Sequence, residues 1–203
     1  AWHPEFDDVN NDRFVDIYIS KGNVEAMPEY AAEDPSNLLI GQPDGTFVEG
    51  APDAGLLSLG RSRGAAVVDL NLDGMLDIVE INRRQNIKLW RNVGSGTLDQ
   101  PRLQGNWVSV RATQSGSNRE AIGAWIQVRV GDVMTEREIT IGGGHAGGQL
   151  GWSHFGLGDS NNAEVRVLWP DGEAGPWHSV AANGFFEIAR DTANVVPSLP
   201  ESS

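Results

Sequence analysis

The feature of this sequence that most constrains its fold is an acidic loop that occurs twice. Residues 6–19 read FDDVNNDRFVDIYI, and residues 67–82 read VVDLNLDGMLDIVEIN. Both follow the pattern D-x-N-x-D-x-x-x-D, with Asp69 aligned to Asp8 at an offset of 61 residues, and both lead into an apolar, β-branched run. Because the two copies keep the same spacing, they indicate an internal repeat built from strand, loop and strand.

The side chains that the two loops share are oxygen donors on alternate positions. They are Asp8, Asn10, Asp12 and Asp16 in the first loop, and Asp69, Asn71, Asp73 and Asp77 in the second. Carboxylates this close repel one another unless a cation lies among them. Ca²⁺ accepts about 6–8 oxygen ligands in irregular geometry, whereas Mg²⁺ requires a stricter octahedron. We therefore expect two Ca²⁺ sites, each completed by the backbone carbonyl of Phe14 or Met75; the alternative is an acidic turn without an ion.

The sixth position of the loop differs between the copies. It is Gly74 in the second loop and Arg13 in the first, so a left-handed backbone there would strain the first loop and weaken or distort its site.

Residues 69–80 also satisfy the EF-hand pattern, with Glu80 in the last place. The flanks have no helical period, and Ile19 occupies the last place in the first loop. We therefore reject an EF-hand and assign Glu80 to a strand.

Between the loops, residues 37–56 predict two strands joined by a turn at Asp44-Gly45, which gives about four strands per repeat. With DGTF at 44–47 and LWRN at 89–92, the loops resemble the FG-GAP (VCBS-type) repeat over residues 1–94. The resemblance implies β-propeller blades with calcium in their loops. Two repeats cannot close a propeller, so we expect upstream blades or a partner chain to complete it.

The second half of the chain has a different pattern. Residues 95–104 read as a linker with glycines and a proline, and residues 191–203 as a flexible tail. Residues 105–190 contain short alternating runs separated by turns, which predict a small antiparallel β-sandwich or barrel. The residues expected to face its core are Val108, Val110, Ile126, Val128, Val130, Val165, Val167 and Trp169. The predicted fold class is therefore all-β throughout.

Four short motifs in this half carry a second resemblance. They are Asn118-Arg119, AIGA at 121–124, FGLG at 155–158 and WPDG at 169–172. In combination they resemble the ASPIC/UnbV domain of the cartilage acidic protein-like family, in which that domain follows FG-GAP-like repeats. The resemblance implies a secreted, cell-surface or periplasmic protein with calcium-binding repeats, and it implies no established reaction.

One surface of the predicted sandwich is a candidate for ligand binding. Trp107 and Arg111 alternate with core residues on one strand, and Trp125 and Arg129 repeat that order on the next. If the two strands pair, two Trp and two Arg share an outward face, and both residue types are enriched in binding hot spots. The alternative is that this face packs on the repeat half.

Composition and motifs narrow the function further. The net charge of −13 argues against nucleic-acid binding, and no apolar run approaches the ~20 residues that span a membrane. GGGHAG at 142–147 matches the dinucleotide-binding pattern G-x-G-x-x-G. Such a site needs a helix to begin at the glycines, and no helix pattern follows here, so we expect a flexible loop. His145, His154 and His178 have no metal-ligand spacing, and no nucleophile-elbow motif occurs.

These observations favour an extracytoplasmic calcium-binding module that interacts with a protein or a glycan and is not itself an enzyme. In this interpretation calcium is structural. The rival interpretation is that the chain is the C-terminal part, or an accessory subunit, of a secreted or periplasmic enzyme whose active site lies elsewhere. A partner bearing a redox cofactor or a catalytic set would favour that rival.

Overall fold

The computed structural model describes residues 1–23, 34–145, 147–192 and 195–199. These ranges hold fifteen strands and no helix, and hence no helix that could cross a membrane. The predicted all-β class is therefore confirmed. The chain forms two compact units. Unit 1 comprises Ala1–Val9, Phe14–Arg102 and Gly142–Gln149, and unit 2 comprises Asn10–Arg13, Leu103–Ile141 and Leu150–Ser203.

Unit 1 contains two sheets, which we call blades. The first blade is an antiparallel meander of β1 (His3–Asp7), β2 (Asp16–Ser20), β3 (Asn37–Gly41) and β4 (Phe47–Glu49). The second blade contains β5 (Ser62–Val68), β6 (Asp77–Asn82) and β7 (Lys88–Trp90) in sequential order. The turn predicted at Asp44-Gly45 joins β3 to β4, and each acidic loop joins two neighbouring strands of its blade.

The core of unit 1 lies between the two blades. Alternation along β2 and β3 turns Tyr18 and Leu38 inward, where they join Val67 of β5 and Ile78 of β6 in one buried cluster. Period-2 alternation is what a sheet with one buried face requires. Each acidic loop joins two strands, β1 to β2 and β5 to β6, so the strand–loop–strand interpretation of the repeat is confirmed.

Unit 2 is a sandwich of two sheets. One sheet has the order β11-β8-β14-β15, formed by β11 (Ser153–Gly158), β8 (Asn106–Thr113), β14 (Gly184–Ala189) and β15 (Val195–Pro197). The other has the order β10-β9-β12-β13, formed by β10 (Val133–Glu138), β9 (Trp125–Val130), β12 (Asn162–Leu168) and β13 (His178–Ala181). No closed barrel forms in the described part of the chain, so the sandwich alternative is the correct one.

The core of the sandwich contains the residues that alternation predicts. Val108 and Val110 from one sheet are fully buried together with Ile126 and Val165 from the other. Val128, Val167 and Trp169 are also buried, and Val130 packs at the margin. The expectation of a purely antiparallel fold is wrong in one place, because β14 pairs with β8 in parallel.

Two segments expected to be loose are more ordered than their composition indicates. The chain from Val93 to Arg102 folds back on itself, with backbone hydrogen bonds of 3.0 Å from Arg102 N–H to Val93 and from Ser95 N–H to Arg102. In the predicted tail, β15 pairs with β14 opposite Ile188. Residues 193–194 and 200–203 of that tail lie outside the described residues.

Candidate metal centre

The second acidic loop connects β5 to β6 within unit 1. Its backbone takes left-handed angles at two positions, with φ of 62° at Leu72 and 82° at Gly74. A left-handed backbone angle suits glycine, because glycine has no Cβ to clash with the backbone. These two reversals turn the chain tightly enough for side chains on alternate positions to point into the loop.

The side chains of the second loop bind one another and the loop backbone. Asp69 accepts hydrogen bonds from the N–H groups of Asp73 at 3.1 Å and Gly74 at 2.8 Å. The amide of Asn71 donates to the carboxylate of Asp73 at 2.8 Å. Asp73 also accepts from the N–H of Met75, whose side chain is buried. Three predicted ligands are thus brought together around one tight turn.

Asp77 completes the loop from the first position of β6. It is buried and accepts hydrogen bonds from the N–H groups of Leu70 at 3.2 Å and Asn92 at 2.8 Å. The side chain of Asn92 donates in turn to the carbonyls of Val9 at 2.8 Å and Leu76 at 3.2 Å. Asn92 was not predicted as a site residue. Because Asn92 lies 15 residues from Asp77, the loop pattern does not include it. In the sequence it was noted as part of the LWRN motif.

The electrostatics of the second loop disfavour ionised carboxylates. Burial raises the pKa of Asp69 above its usual range; hydrogen bonds from Gly74 and Asp73 oppose this, and the charge of Asp73 adds to it. Burial likewise raises the pKa of Asp77 against hydrogen bonds from Asn92 and Leu70; the charge of Asp73 adds to the rise and that of Arg91 opposes it. A nearby positive charge would favour the ionised forms of both groups.

The first loop takes left-handed backbone angles at the same two positions as the second. Its φ angles are 61° at Asn11 and 80° at Arg13, against 62° and 82° at the equivalent Leu72 and Gly74. Arg13 therefore does adopt the left-handed conformation that was expected to strain this loop. A non-glycine residue in that region costs on the order of 1–3 kcal/mol.

The hydrogen bonds of the first loop also correspond to those of the second. In unit 1, buried Asp16 accepts from the N–H groups of Val9 at 2.9 Å and Gly41 at 2.8 Å, as Asp77 does in its own loop. Asp8 is buried as well. In unit 2, the amide of Asn10 donates to Asp12 at 2.8 Å, the same contact that Asn71 makes with Asp73.

The donor types in the second loop suit calcium, which prefers carboxylate, amide and carbonyl oxygens. Across the described residues, however, no three Asp, Glu or His side chains converge as ligands of one metal ion. The carboxylates of Asp69 and Asp77 point to backbone N–H groups and close the loop. Calcium binding therefore requires these side chains to turn from the N–H groups toward a common centre.

Glu80 has a role separate from the loop. It lies in β6, fully buried, and accepts hydrogen bonds from the hydroxyls of Tyr18 at 2.7 Å, Ser36 at 2.6 Å and Ser58 at 2.6 Å. The amide of Asn82 donates to it at 3.1 Å. Burial opposes its ionisation, but these hydrogen bonds outweigh burial and hold the pKa of Glu80 below its usual range. The rejection of an EF-hand, which would need Glu80 as a ligand, is consistent with this placement.

The predicted Trp and Arg face of the sandwich does not exist as described. It required β8 to pair with β9, but these strands lie in different sheets. Trp107 is buried against His154 and Phe185, and Arg111 binds Glu120.

The other two residues of that predicted face lie on the second sheet. Trp125 is 37% exposed. Arg129 binds Glu164 and stacks on Trp177, on which Arg166 also stacks.

The glycine-rich segment at 142–147 has a packing role. Gly143 and Gly147 approach the buried imidazole of His3 so closely that a Cβ on either would overlap it. This explains the glycines better than the flexible loop that was expected; Ala146 lies outside the described residues. The three histidines of the sequence analysis have different surroundings: His145 packs on Trp2, His154 bonds to Asn11, and His178 lies in β13.

Comparison with known protein families supports both resemblances. Residues 8–80 match the FG-GAP-like repeat, and residues 114–195 match the ASPIC and UnbV family. No curated protein matches this chain at a significant level. The first match contains both acidic loops, and the second contains most of the sandwich.

Proposed function

We propose that this chain is an extracytoplasmic, non-catalytic interaction module, because a match to the FG-GAP-like repeat is followed by a match to the ASPIC and UnbV family. In this proposal each acidic loop binds one Ca²⁺ ion, and calcium has a structural role. The ions fix the connections between the strands of the two blades. The partner is a protein or a glycan.

The observation that carries the proposal is the agreement between the two loops. They share left-handed angles at equivalent positions and the same Asn-to-Asp and Asp-to-backbone contacts. A surface turn without a function has no reason to keep these features across a 61-residue repeat in which the strand residues differ. A shared ligand accounts for the agreement, and oxygen donors alone favour calcium over transition metals.

The raised pKa values in the second loop support the same ligand. Because Asp69 and Asp77 are desolvated and lie near the charge of Asp73, their ionised forms destabilise the loop at neutral pH. A divalent cation offsets that repulsion. With calcium at about 2 mM and a Kd of about 0.1 mM, as for extracellular modules, each site would add about 1.8 kcal/mol of stability.

The test is a thermal melt in EDTA, followed by titration with calcium and, in parallel, with magnesium. We expect a saturable rise of roughly 4–7 °C per calcium site and a weaker response to magnesium. The variant Asp73→Asn should lose part of the rise, whereas Asp53→Asn, which changes an exposed acid outside the loops, should keep all of it. A melt that ignores calcium in the unmodified chain would refute calcium binding.

A further inference from the structure

Positive charge is concentrated at one end of the second blade, although the chain as a whole has a net charge of −13. Five of the chain's fifteen Lys and Arg residues lie where β5 begins, β6 ends and β7 begins: Arg61, Arg63, Arg83, Arg84 and Lys88. Residues 57–68 and 81–91 contain no Asp or Glu. The second acidic loop lies at the opposite end of β5 and β6, about 20 Å away at the rise of a strand.

The positive charges of this cationic end act on one another. Burial, followed by the charges of Arg83 and Arg61, lowers the pKa of Arg63. The backbone holds two of these arginines together, because the N–H of Arg83 donates to the carbonyl of Arg61 at 2.8 Å. Like charges held close together favour an anion beside them.

A pocket of about 370 Å³ opens at the cationic end. It is lined by one ammonium, two side-chain amides, one apolar side chain and one glycine: Lys88, Gln85, Asn86, Leu59 and Gly60. No acidic side chain of the described residues is among them. Ligand pockets of about 300–1,000 Å³ take small organic molecules, so this pocket is larger than a bare inorganic anion requires.

Lys88 supplies the charge inside the pocket. Lys88 is half-buried, and its ammonium donates a hydrogen bond of 2.7 Å to the hydroxyl of Ser58 and lies 5.7 Å from the ring centre of Trp90. Ser58 in turn donates to Glu80 at 2.6 Å, so the ammonium reaches that carboxylate only through the hydroxyl. Because an ammonium has three N–H donors, two of them are left for a ligand.

The two amides give the pocket hydrogen-bonding groups without charge. Gln85 Oε1 accepts from the N–H of Arg61 at 3.1 Å, so the amide nitrogen of Gln85 is left to donate. The side chain of Asn86 is exposed, and its backbone carbonyl accepts from Asn82 at 3.4 Å. Beside Gly60, where a Cβ would overlap the amide of Asn82, the buried Oδ1 of Asn82 has no donor among the described residues.

We propose that this pocket binds an acidic saccharide, with its carboxylate on the ammonium of Lys88 and its ring hydroxyls on the amides of Gln85 and Asn86. The ammonium selects negative charge, because a charge-assisted hydrogen bond is stronger than a neutral one. The amides, and the acceptor beside Gly60, select hydroxyls, which both donate and accept. Leu59 is 54% exposed and offers an apolar wall to the C–H face of a sugar ring.

The extent of the cationic end favours a short ligand over a long polyanion. The Debye length at physiological salt is about 8 Å, so an anion in the pocket is screened from an acidic loop about 20 Å away. A long polyanion would extend past the cationic end onto a chain whose net charge is −13. A mono- or disaccharide meets both conditions.

This inference rests on the proposed interaction role and selects a glycan as the partner. The two fail separately, because calcium stabilisation is read from melting and saccharide binding from titration without metal. Should the calcium-dependent rise occur while no acidic saccharide binds, only the inference is wrong. Saccharide binding without a calcium response would leave the inference intact and refute the proposed calcium sites.

The experiment is calorimetric titration of the full chain with digalacturonate, in metal-free Tris buffer at low salt. Two probes are matched to this ligand. Its dimethyl ester keeps the rings and removes the charge, whereas succinate keeps two carboxylates and removes the rings. We expect saturable binding of digalacturonate and binding of each matched probe that is weaker by about tenfold or more, since each probe lacks one set of contacts.

Variants assign the binding to the pocket. Lys88→Met removes the ammonium, keeps an unbranched side chain and should weaken digalacturonate binding about tenfold. Asn86→Ala changes an exposed side chain and should weaken it about threefold. The control is Arg102→Gln, which removes a positive charge at an exposed arginine outside the pocket and should leave the affinity unchanged. Thermal melting checks each variant, and Asn86→Ala carries the test if loss of the contact with Ser58 unfolds Lys88→Met.

Each contrary result overturns the proposal. An ester that binds as tightly as digalacturonate would show that the charge is not recognised, and succinate binding of equal strength would show that the rings are not. Absence of digalacturonate binding excludes the site, and so do folded Lys88→Met and Asn86→Ala chains that bind it unchanged. A loss in Arg102→Gln as large as that in Lys88→Met would assign the effect to overall charge and not to the pocket.

Discussion

The hydroxyl of Tyr18 in the first blade donates a 2.7 Å hydrogen bond to the carboxylate of Glu80 in the second, and both side chains are almost completely buried. Burial, followed by this hydrogen bond and the charge of Glu80, raises the pKa of Tyr18 above its ordinary value, so its hydroxyl stays protonated as the donor. Ser36 and Ser58 donate to the same carboxylate. A single buried acid thus joins four separate segments of unit 1.

The first prediction concerns this contact. Tyr18→Phe should destabilise the chain by about 2 kcal/mol, because a hydrogen bond to a buried charged group is lost without another donor to replace it. The matched control is Thr46→Val, which removes a 2.6 Å hydroxyl–carboxylate bond to Asp44 on the surface and should change stability far less. Urea unfolding in EDTA measures both. Equal losses in the two variants would contradict a special role for the buried contact.

A second prediction concerns pH. The pKa of Glu80 is lowered by its hydrogen bonds, so its contribution is present above the unfolded value and is lost as pH falls through its folded pKa. The pKa values of Asp69 and Asp77 are raised, so their ionised forms destabilise the folded chain at neutral pH, and protonation relieves this as pH falls. In EDTA we therefore expect stability to rise on mild acidification and to fall at lower pH.

Variants separate these two effects. Glu80→Gln should reduce the loss of stability at low pH. Asp69→Asn should reduce the gain in stability on mild acidification. Calcium should also remove that rise, because it stabilises the ionised carboxylates. Denaturant unfolding at a series of pH values, with and without calcium, provides the comparison. An Asp69→Asn chain whose profile matches that of the unmodified chain would argue against this origin of the rise.

The third prediction concerns the backbone of the second loop. Gly74→Ala places a Cβ at φ of 82° and should destabilise the chain by about 1–2 kcal/mol. Gly142→Ala is the control, since a Cβ there meets no neighbour within 4 Å and its φ is not left-handed. It should leave the melting temperature almost unchanged. If both substitutions have the same effect, the left-handed angle at Gly74 is not what limits stability.

Much of the fold could be predicted from local patterns. Alternation identified Val108, Val110, Ile126 and Val128 as core residues, because a half-buried strand repeats every two residues whichever strand it pairs with. The loops were predicted as strand connections because the residues that follow them are β-branched and alternating, and no helical period precedes the second loop.

Pairing between distant strands could not be predicted in this way. The Trp107 and Trp125 patterns are alike, yet β8 pairs with β11 and β14 while β9 pairs with β10 and β12. Nothing local to either strand specifies which sheet it joins. The cluster around Glu80 was missed for a related reason, since its donors come from three other segments and have no common spacing.

The final prediction tests that difference between the two tryptophans. Trp107 is 4% exposed and packs on His154 and Phe185, so Trp107→Ala should destabilise the chain by about 3–5 kcal/mol. Trp125 is 37% exposed at the first position of β9, and Trp125→Ala should cost about 1 kcal/mol. Chemical unfolding in calcium measures both losses. A loss at Trp107 as small as that at Trp125 would contradict the buried placement of Trp107 and would favour the shared outward face that alternation indicated.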